Sequence, residues 1–254
     1  MQKILFGFSI YLLLSIGCHT STQISEITST SIEFNTNQTP NQDTSISNLI
    51  APYKDKLESE MNAVIGSCDQ TLTKARPEGL LGNLIADLTF WKTKELSNNK
   101  GIELPEICLL NHGGLRTSLP KGSIYKKRIF ELMPFENELV VVTLSGGKTK
   151  LMIDFLAYIN GMPIAGATMG IKDGKAIDVK INGQPIDTTR PYRVATSDYL
   201  AFGGDNMTFF LNPLKFEKLN YKLRDGIIDY LVKENKAGRS INAKLDKRIY
   251  VAEK

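Results

Sequence analysis

The sequence predicts a mixed α/β (α+β) fold. Three patterns carry that reading: apolar residues at helical spacing between Leu80 and Leu96, a β-branched run from Leu139 to Leu144, and two alternating runs joined by Lys172-Asp173-Gly174. Helical and strand patterns mix along the chain without the regular strand, helix, strand repeat of a doubly wound parallel sheet.

The elements follow in order. Leu80, Leu81, Leu84, Ile85, Leu88 and Trp91 fall on one face of a helix, with Pro77 and Glu78 near its first turn. That stripe reads as core. Ile107 to Leu110 is a short buried strand, and Leu139 to Leu144 leads through Ser145-Gly146-Gly147 into a helix from Lys148 to Ile159. The glycine junction is a structural turn, because a Walker A loop needs a glycine five residues before Gly147, where Val142 stands. Thr168 to Ile171 and Lys175 to Ile181 flank an Asp-Gly hairpin signal. Asn182-Gly183 then turns the chain toward a strand from Tyr192 to Thr196. A last helix is expected from about Lys218 to Lys233, and a final strand from Arg248 to Val251.

Two of these strands run into glycine-rich turns: Asn111-His112-Gly113-Gly114-Leu115-Arg116, and Ser197-Asp198-Tyr199-Leu200-Ala201-Phe202-Gly203-Gly204-Asp205. Glycines allow positive φ or close approach of a ligand to the backbone, while Asn, Arg, Tyr and Asp supply hydrogen bonds, charge and a stacking face. Such a set suits a nucleotide. Either turn alone reads better as an ordinary strand end with solvated charges.

Taken with Arg76 to Asp87 (Arg-Pro-Glu-Gly-Leu-Leu-Gly-Asn-Leu-Ile-Ala-Asp) and Met133-Pro134-Phe135, the series resembles the C-terminal, substrate-binding domain of the 5′-nucleotidase and UDP-sugar hydrolase family. The resemblance runs from about Met61 to Asn212, with weaker support as far as Tyr230. It implies a four-layer α/β/β/α arrangement. It also implies roles: Phe135 and Tyr199 as the pair that stacks a base, Asn111 as a base contact, Arg116 and Arg76 as arginines reaching ribose and phosphate, and Asp205 as the acceptor of ribose hydroxyls. Tyr199 stands where some members have Phe, and the spacing from Arg76 to Gly82 is shifted by about one residue from some members. His112 replaces a small residue and reads as a partly exposed turn residue, not a catalytic one.

Enzymes of that family also carry an N-terminal metallophosphoesterase domain, and nothing in this sequence corresponds to it. The chain has two histidines, His19 and His112, too few for a dinuclear centre of His and carboxylate ligands. No catalytic residue, metal ligand or cofactor is therefore expected in this chain, and divalent metals belong to a partner. The formal charge is +4, and setting aside Lys3 and the acids Glu26, Glu33 and Asp43 leaves +6 on residues 49–254. That sign favours anionic ligands. The lysines are dispersed, with the densest group at Lys126-Lys127-Arg128, so a nucleic-acid polymer is not an expected partner.

At the N-terminus, Lys3 precedes an apolar stretch from Ile4 to Ile16 and then Gly17-Cys18, the pattern of a secretory signal over residues 1–17. Leu14-Ser15-Ile16-Gly17-Cys18 resembles a bacterial lipobox in which Cys18 is lipidated, although Ser15 departs from the usual aliphatic residue. Residues 19–48 hold 20 Ser, Thr, Asn or Gln among 30, so residues 18–48 are expected to form a flexible polar tether and residues 49–254 one globular domain. Cys68 and Cys108 sit in apolar runs and are either a disulfide or two buried thiols.

Together these observations predict a lipid-anchored protein of the bacterial cell envelope. It would bind a nucleotide or nucleoside and depend on a separate metallophosphoesterase for hydrolysis. The alternative is a surface lipoprotein that binds such ligands with no catalytic role.

Overall fold

The computed structural model describes residues 26–31 and 43–252. The signal segment and Cys18 lie outside the described residues. The described residues divide into two units between Ile50 and Ala51. Among the described residues no helix is long and apolar enough to cross a membrane.

Helix α1 (Thr44–Met61) begins inside the segment expected as tether. Asp43 explains the start: its Oδ1 accepts from the backbone N–H of Ser45 at 2.9 Å and of Ile46 at 3.3 Å, the capping contact that short polar side chains provide. None of its residues is buried.

The domain is organised around a five-stranded sheet of order β10-β4-β9-β2-β5, comprising β2 (Ile107–Leu109), β4 (Glu138–Leu144), β5 (Ile164–Ala165), β9 (Tyr192–Ser197) and β10 (Lys215–Lys222). β2 and β9 pair in parallel, with Ile107 opposite Val194, while β4 runs antiparallel to β9, with Leu139 opposite Ser197. Successive side chains on a strand point to opposite faces. That period divides the interior into two cores. Cys108, Leu139, Val141, Ala165, Ala195 and Leu219 face one side, where α2 (Leu80–Asn99), α3 (Lys126–Leu132), α6 (Leu223–Lys236) and the β1 (Val64–Cys68) and β3 (Gly122–Tyr125) pair pack. Ile107, Leu109, Val140, Val142, Leu144 and Val194 face the other. There they meet α4 (Gly146–Tyr158) and a second sheet of order β11-β6-β7-β8.

In that second sheet β6 (Ala167–Lys172) and β7 (Lys175–Ile181) form the expected hairpin, and Asp173 and Gly174 both take positive φ, 50° and 71°, as a two-residue turn of this kind requires. β8 (Gln184–Pro185) and β11 (Ile249–Val251) complete it. The mixed α/β class is as the sequence predicts. One element differs: residues 218–222, expected as the start of the last helix, finish edge strand β10, and the helix runs from Leu223 to Lys236. Cys68 and Cys108 are both free and buried, not a disulfide. Burial pushes both thiols up from their ordinary value.

The C-terminal segment is held on α2 by charge. Arg248, 9% exposed, donates to both Asp87 oxygens at 2.6 and 2.9 Å, to Asp246 Oδ2 at 2.7 Å and to the Ile164 carbonyl at 2.9 Å. Glu78 receives the backbone N–H groups of Asp246 and Lys247 beside it. His112 is a partly exposed turn residue, as expected, but both of its ring nitrogens are buried and have no hydrogen-bond partner among the described residues. Burial, with Arg76 and Lys74 nearby, pulls its pKa down from 6.5 to about 4.

Two stability outcomes follow. Arg248→Met should cost about 2–3 kcal/mol in urea denaturation, because it strands two carboxylates that the buried guanidinium now pairs. Lys150→Ala, which breaks the exposed Lys150 to Asp154 pair, should cost under about 0.5 kcal/mol. Equal costs would contradict the clamp. His112 is protonated in the unfolded chain below about pH 6.5 but stays neutral in the fold until about pH 4. Its contribution is therefore fully present above pH 6.5 and lost as pH falls toward 4. Allowing for the partial exposure of the residue, wild type should lose about 2 kcal/mol more than His112→Asn across that window. Parallel pH profiles would contradict it.

Candidate functional site

Strand pairing places three loops together at one edge of the central sheet. β2 ends into Asn111 and a 3-10 turn from His112 to Gly114, β9 ends into the short helix α5 (Asp198–Ala201), and the Met133 to Asn137 loop enters β4. Between them lies a cleft of about 240 Å³ lined by Asn111, Gly113, Gly114, Arg116, Phe135, Asn137, Tyr199 and Asp205. Five of the six sequence-predicted ligand residues thus converge.

The two glycine turns are tied to each other. Asn111, 8% exposed, donates from Nδ2 to Asp205 Oδ2 at 2.6 Å across 94 residues of chain. The Tyr199 hydroxyl donates to Asp205 Oδ1 at 2.8 Å. Two glycines make room for this. A Cβ on Gly114 would lie 2.9 Å from Asn111 Oδ1, and one on Gly204 would lie 2.5 Å from Tyr199 Cε1, closer than real side chains come.

Phe135 and Tyr199 are 40% and 45% exposed, so each presents a ring to the cleft and solvent instead of filling the core. Both loops are braced from behind. Asp198 Oδ1 accepts from the backbone N–H of Glu138 at 3.1 Å and of Tyr199 at 2.8 Å, joining the entry of β4 to the exit of β9. Arg224, 5% exposed at the start of α6, donates to the carbonyls of Met133 at 3.2 Å and Phe135 at 3.3 Å and to Glu136, and its guanidinium lies 4.2 Å from the Phe130 ring centroid. Lys222 and Arg224 together pull the Glu136 carboxyl down to about 2. Sequence reasoning missed Asn137, Asp198 and Arg224. Asp198 was visible inside the second glycine motif, immediately after a strand-ending serine, but the helical pattern around Arg224 gave no sign that a buried arginine faced the loop.

Arg116 is exposed at the cleft, and its one side-chain hydrogen bond among the described residues is long, 3.4 Å to the Gly113 carbonyl. Its charge is available to an anion. Arg76 is not brought to the cleft. Its guanidinium caps the C-terminal end of α4, donating to the carbonyls of Ile159 at 2.5 Å and Gly161, where helix carbonyls lack intrahelical partners. His112 likewise does not line the cleft, and it borders a small gap with Pro77, Met162 and Pro163. Among the described residues no group of three or more His, Cys, Asp or Glu side chains could hold a metal ion.

This arrangement offers aromatic faces, one fixed carboxylate, two amides and one available guanidinium, a set able to bind and orient a ligand that carries a ring, hydroxyls and a negative charge. Residues 19–212 match the family model for the 5′-nucleotidase, C-terminal domain. The chain is 31% identical over 221 residues to the trifunctional nucleotide phosphoesterase protein YfkN of Bacillus subtilis (strain 168), covering 78% of this chain and 14% of that one. It is 29% identical over 170 residues to the protein UshA of Escherichia coli (strain K12), covering 62% of this chain and 28% of that one. A 5′-nucleotidase precursor from Thermus thermophilus superposes with a TM-score of 0.68 at 25% identity, over 84% of this chain and 44% of that one. The chain thus spans less than half the length of each of these relatives. It belongs to the family of 5′-nucleotidase C-terminal domains.

Proposed function

We propose that the cleft binds a nucleoside or nucleotide and that this chain is the substrate-binding half of a 5′-nucleotidase-type phosphohydrolase system acting in nucleotide catabolism. The observation that carries the proposal is the convergence of Asn111, Arg116, Phe135, Tyr199 and Asp205 on one cleft from three separate stretches of chain. The base stacks between the exposed rings of Phe135 and Tyr199. Asp205 accepts from the sugar, and Arg116 meets the phosphate. Arg76, engaged with the end of α4, sits outside this arrangement.

Hydrolysis in this reading belongs to a separate metallophosphoesterase whose two-metal centre closes over the phosphate, with divalent ions held by that partner alone. This chain supplies orientation and specificity. The names of the relatives, a trifunctional nucleotide phosphoesterase and 5′-nucleotidases, support a nucleotide as the ligand. A lipid on Cys18 would hold the domain in the bacterial cell envelope, at the periplasmic or outer-membrane face, on its polar tether.

Calorimetry with millimolar AMP and adenosine tests the binding step. Phe135→Ala and Tyr199→Ala should each weaken both ligands by about tenfold or more through lost stacking. Arg116→Ala should weaken AMP several-fold more than adenosine, because only the phosphate loses a charge-assisted contact. Wild-type protein that binds neither ligand, with or without a metallophosphoesterase partner, would contradict the proposal.

A further inference from the structure

Asp205 is held on both sides before any ligand arrives. It stands in the left-handed region, at φ 53° and ψ 32°, after Gly203 at φ 89°, and this turns its carboxylate back toward the preceding helix. Tyr199 donates to Oδ1 at 2.8 Å, and the backbone N–H of Asp205 donates to the same phenol oxygen at 3.3 Å. The phenol therefore closes a reciprocal pair with one residue. Asn111 Nδ2 donates to Oδ2 at 2.6 Å.

Stacking needs only the ring of Tyr199, so its hydroxyl does separate work. The terminal torsion of an aspartate is broad, and one amide donor alone would leave the carboxylate free to swing. With the phenol in place, each oxygen holds one protein donor. An ionised carboxylate has about four acceptor positions, so each oxygen keeps an open one. Those two openings, one per oxygen on a fixed plane, match two hydroxyls on adjacent carbons. The carboxylate bond raises the Tyr199 pKa above its ordinary value, so the phenol stays protonated and remains the donor at neutral pH. Gly204 seats the ring, since any Cβ there would strike Tyr199 Cε1.

We propose that the Tyr199 hydroxyl is a positioning group that fixes Asp205 as a double acceptor, and that it makes the cleft select nucleosides with an intact 2′,3′-diol over their deoxy counterparts. This rests on the nucleoside reading above and adds the sugar specificity and the group that sets it. Preorganisation of this kind raises affinity by removing an ordering cost, so its loss is felt only by the ligand that uses both oxygens.

The test is calorimetry of the full chain with adenosine, 2′-deoxyadenosine and 3′-deoxyadenosine. Wild type should prefer adenosine over each deoxy compound by about tenfold, the value of one or two hydrogen bonds to a charged acceptor. Tyr199→Phe should lose roughly three- to tenfold for adenosine and less than about twofold for the deoxy compounds, which collapses the preference while stacking persists. Gly204→Ala, which drives the ring off its seat, should collapse the same ratio. A Tyr199→Phe protein that keeps the wild-type preference, or loses all three ligands equally, overturns the assignment of the hydroxyl and leaves the nucleoside reading intact. Absence of adenosine binding in wild type removes the nucleoside reading and this inference with it.

Discussion

Ile107 lies opposite Val194 and Cys108 opposite Ala195 in a parallel pair, so β2 and β9 leave the central sheet at the same edge, and the antiparallel β4 enters it there. Everything at the cleft depends on that pairing. Parallel neighbours cannot be joined by a tight turn and need a long crossover. Here the crossover contains β4, α4 and most of the second sheet, which is how residues 94 positions apart come to share a hydrogen bond. The buried hydroxyl of Thr196, donating to the Leu109 carbonyl at 2.8 Å, adds a side-chain tie between the two strands close to their exits.

The loops at that edge are ordered by groups that do not face the ligand. The backbone N–H of Leu223 donates to the Asn137 carbonyl at 2.9 Å, next to the contacts of Arg224 with Met133 and Phe135, so the start of α6 fixes the whole approach to β4. An arginine suits this position because its planar fork serves several acceptors at once while its guanidinium lies over the Phe130 ring. Asp198 does the corresponding work for α5. A cleft built this way presents exposed rings without depending on their own burial for position, and side chains held in advance bind with less entropy lost.

Much of the central sheet was legible because β2, β4 and β9 are short, apolar and bounded by glycine or polar turns, and the Asp173-Gly174 hairpin was legible from its turn chemistry. β10 was not. As an edge strand it buries only Leu219, and its register shifts between Lys218 and Lys222, so its alternation is weak and runs without a break into the amphipathic pattern of Leu223, Ile227 and Leu231. The basic group Lys126-Lys127-Arg128 opens α3, whose Ile129 and Leu132 enter the core. At the site, the gathering of Asn111, Arg116, Phe135, Tyr199 and Asp205 at one cleft was legible through motifs that matched in order. Arg76 shared such a motif, but its local surroundings, the carbonyls ending α4, claim its guanidinium. A motif names a residue; only the packing shows what that residue has already bonded. His112 shows the same limit, because a polar ring in a glycine turn gave no sign that both nitrogens would be buried.

If the cleft at the β2, β4 and β9 edge receives a nucleoside, a crystal structure of the protein soaked with millimolar AMP shows it most directly. The base should lie between the Phe135 and Tyr199 rings, both ribose hydroxyls within hydrogen-bond distance of Asp205, and the phosphate on the Arg116 side. Density for AMP elsewhere on the molecule, or an empty cleft at saturating ligand, would contradict it.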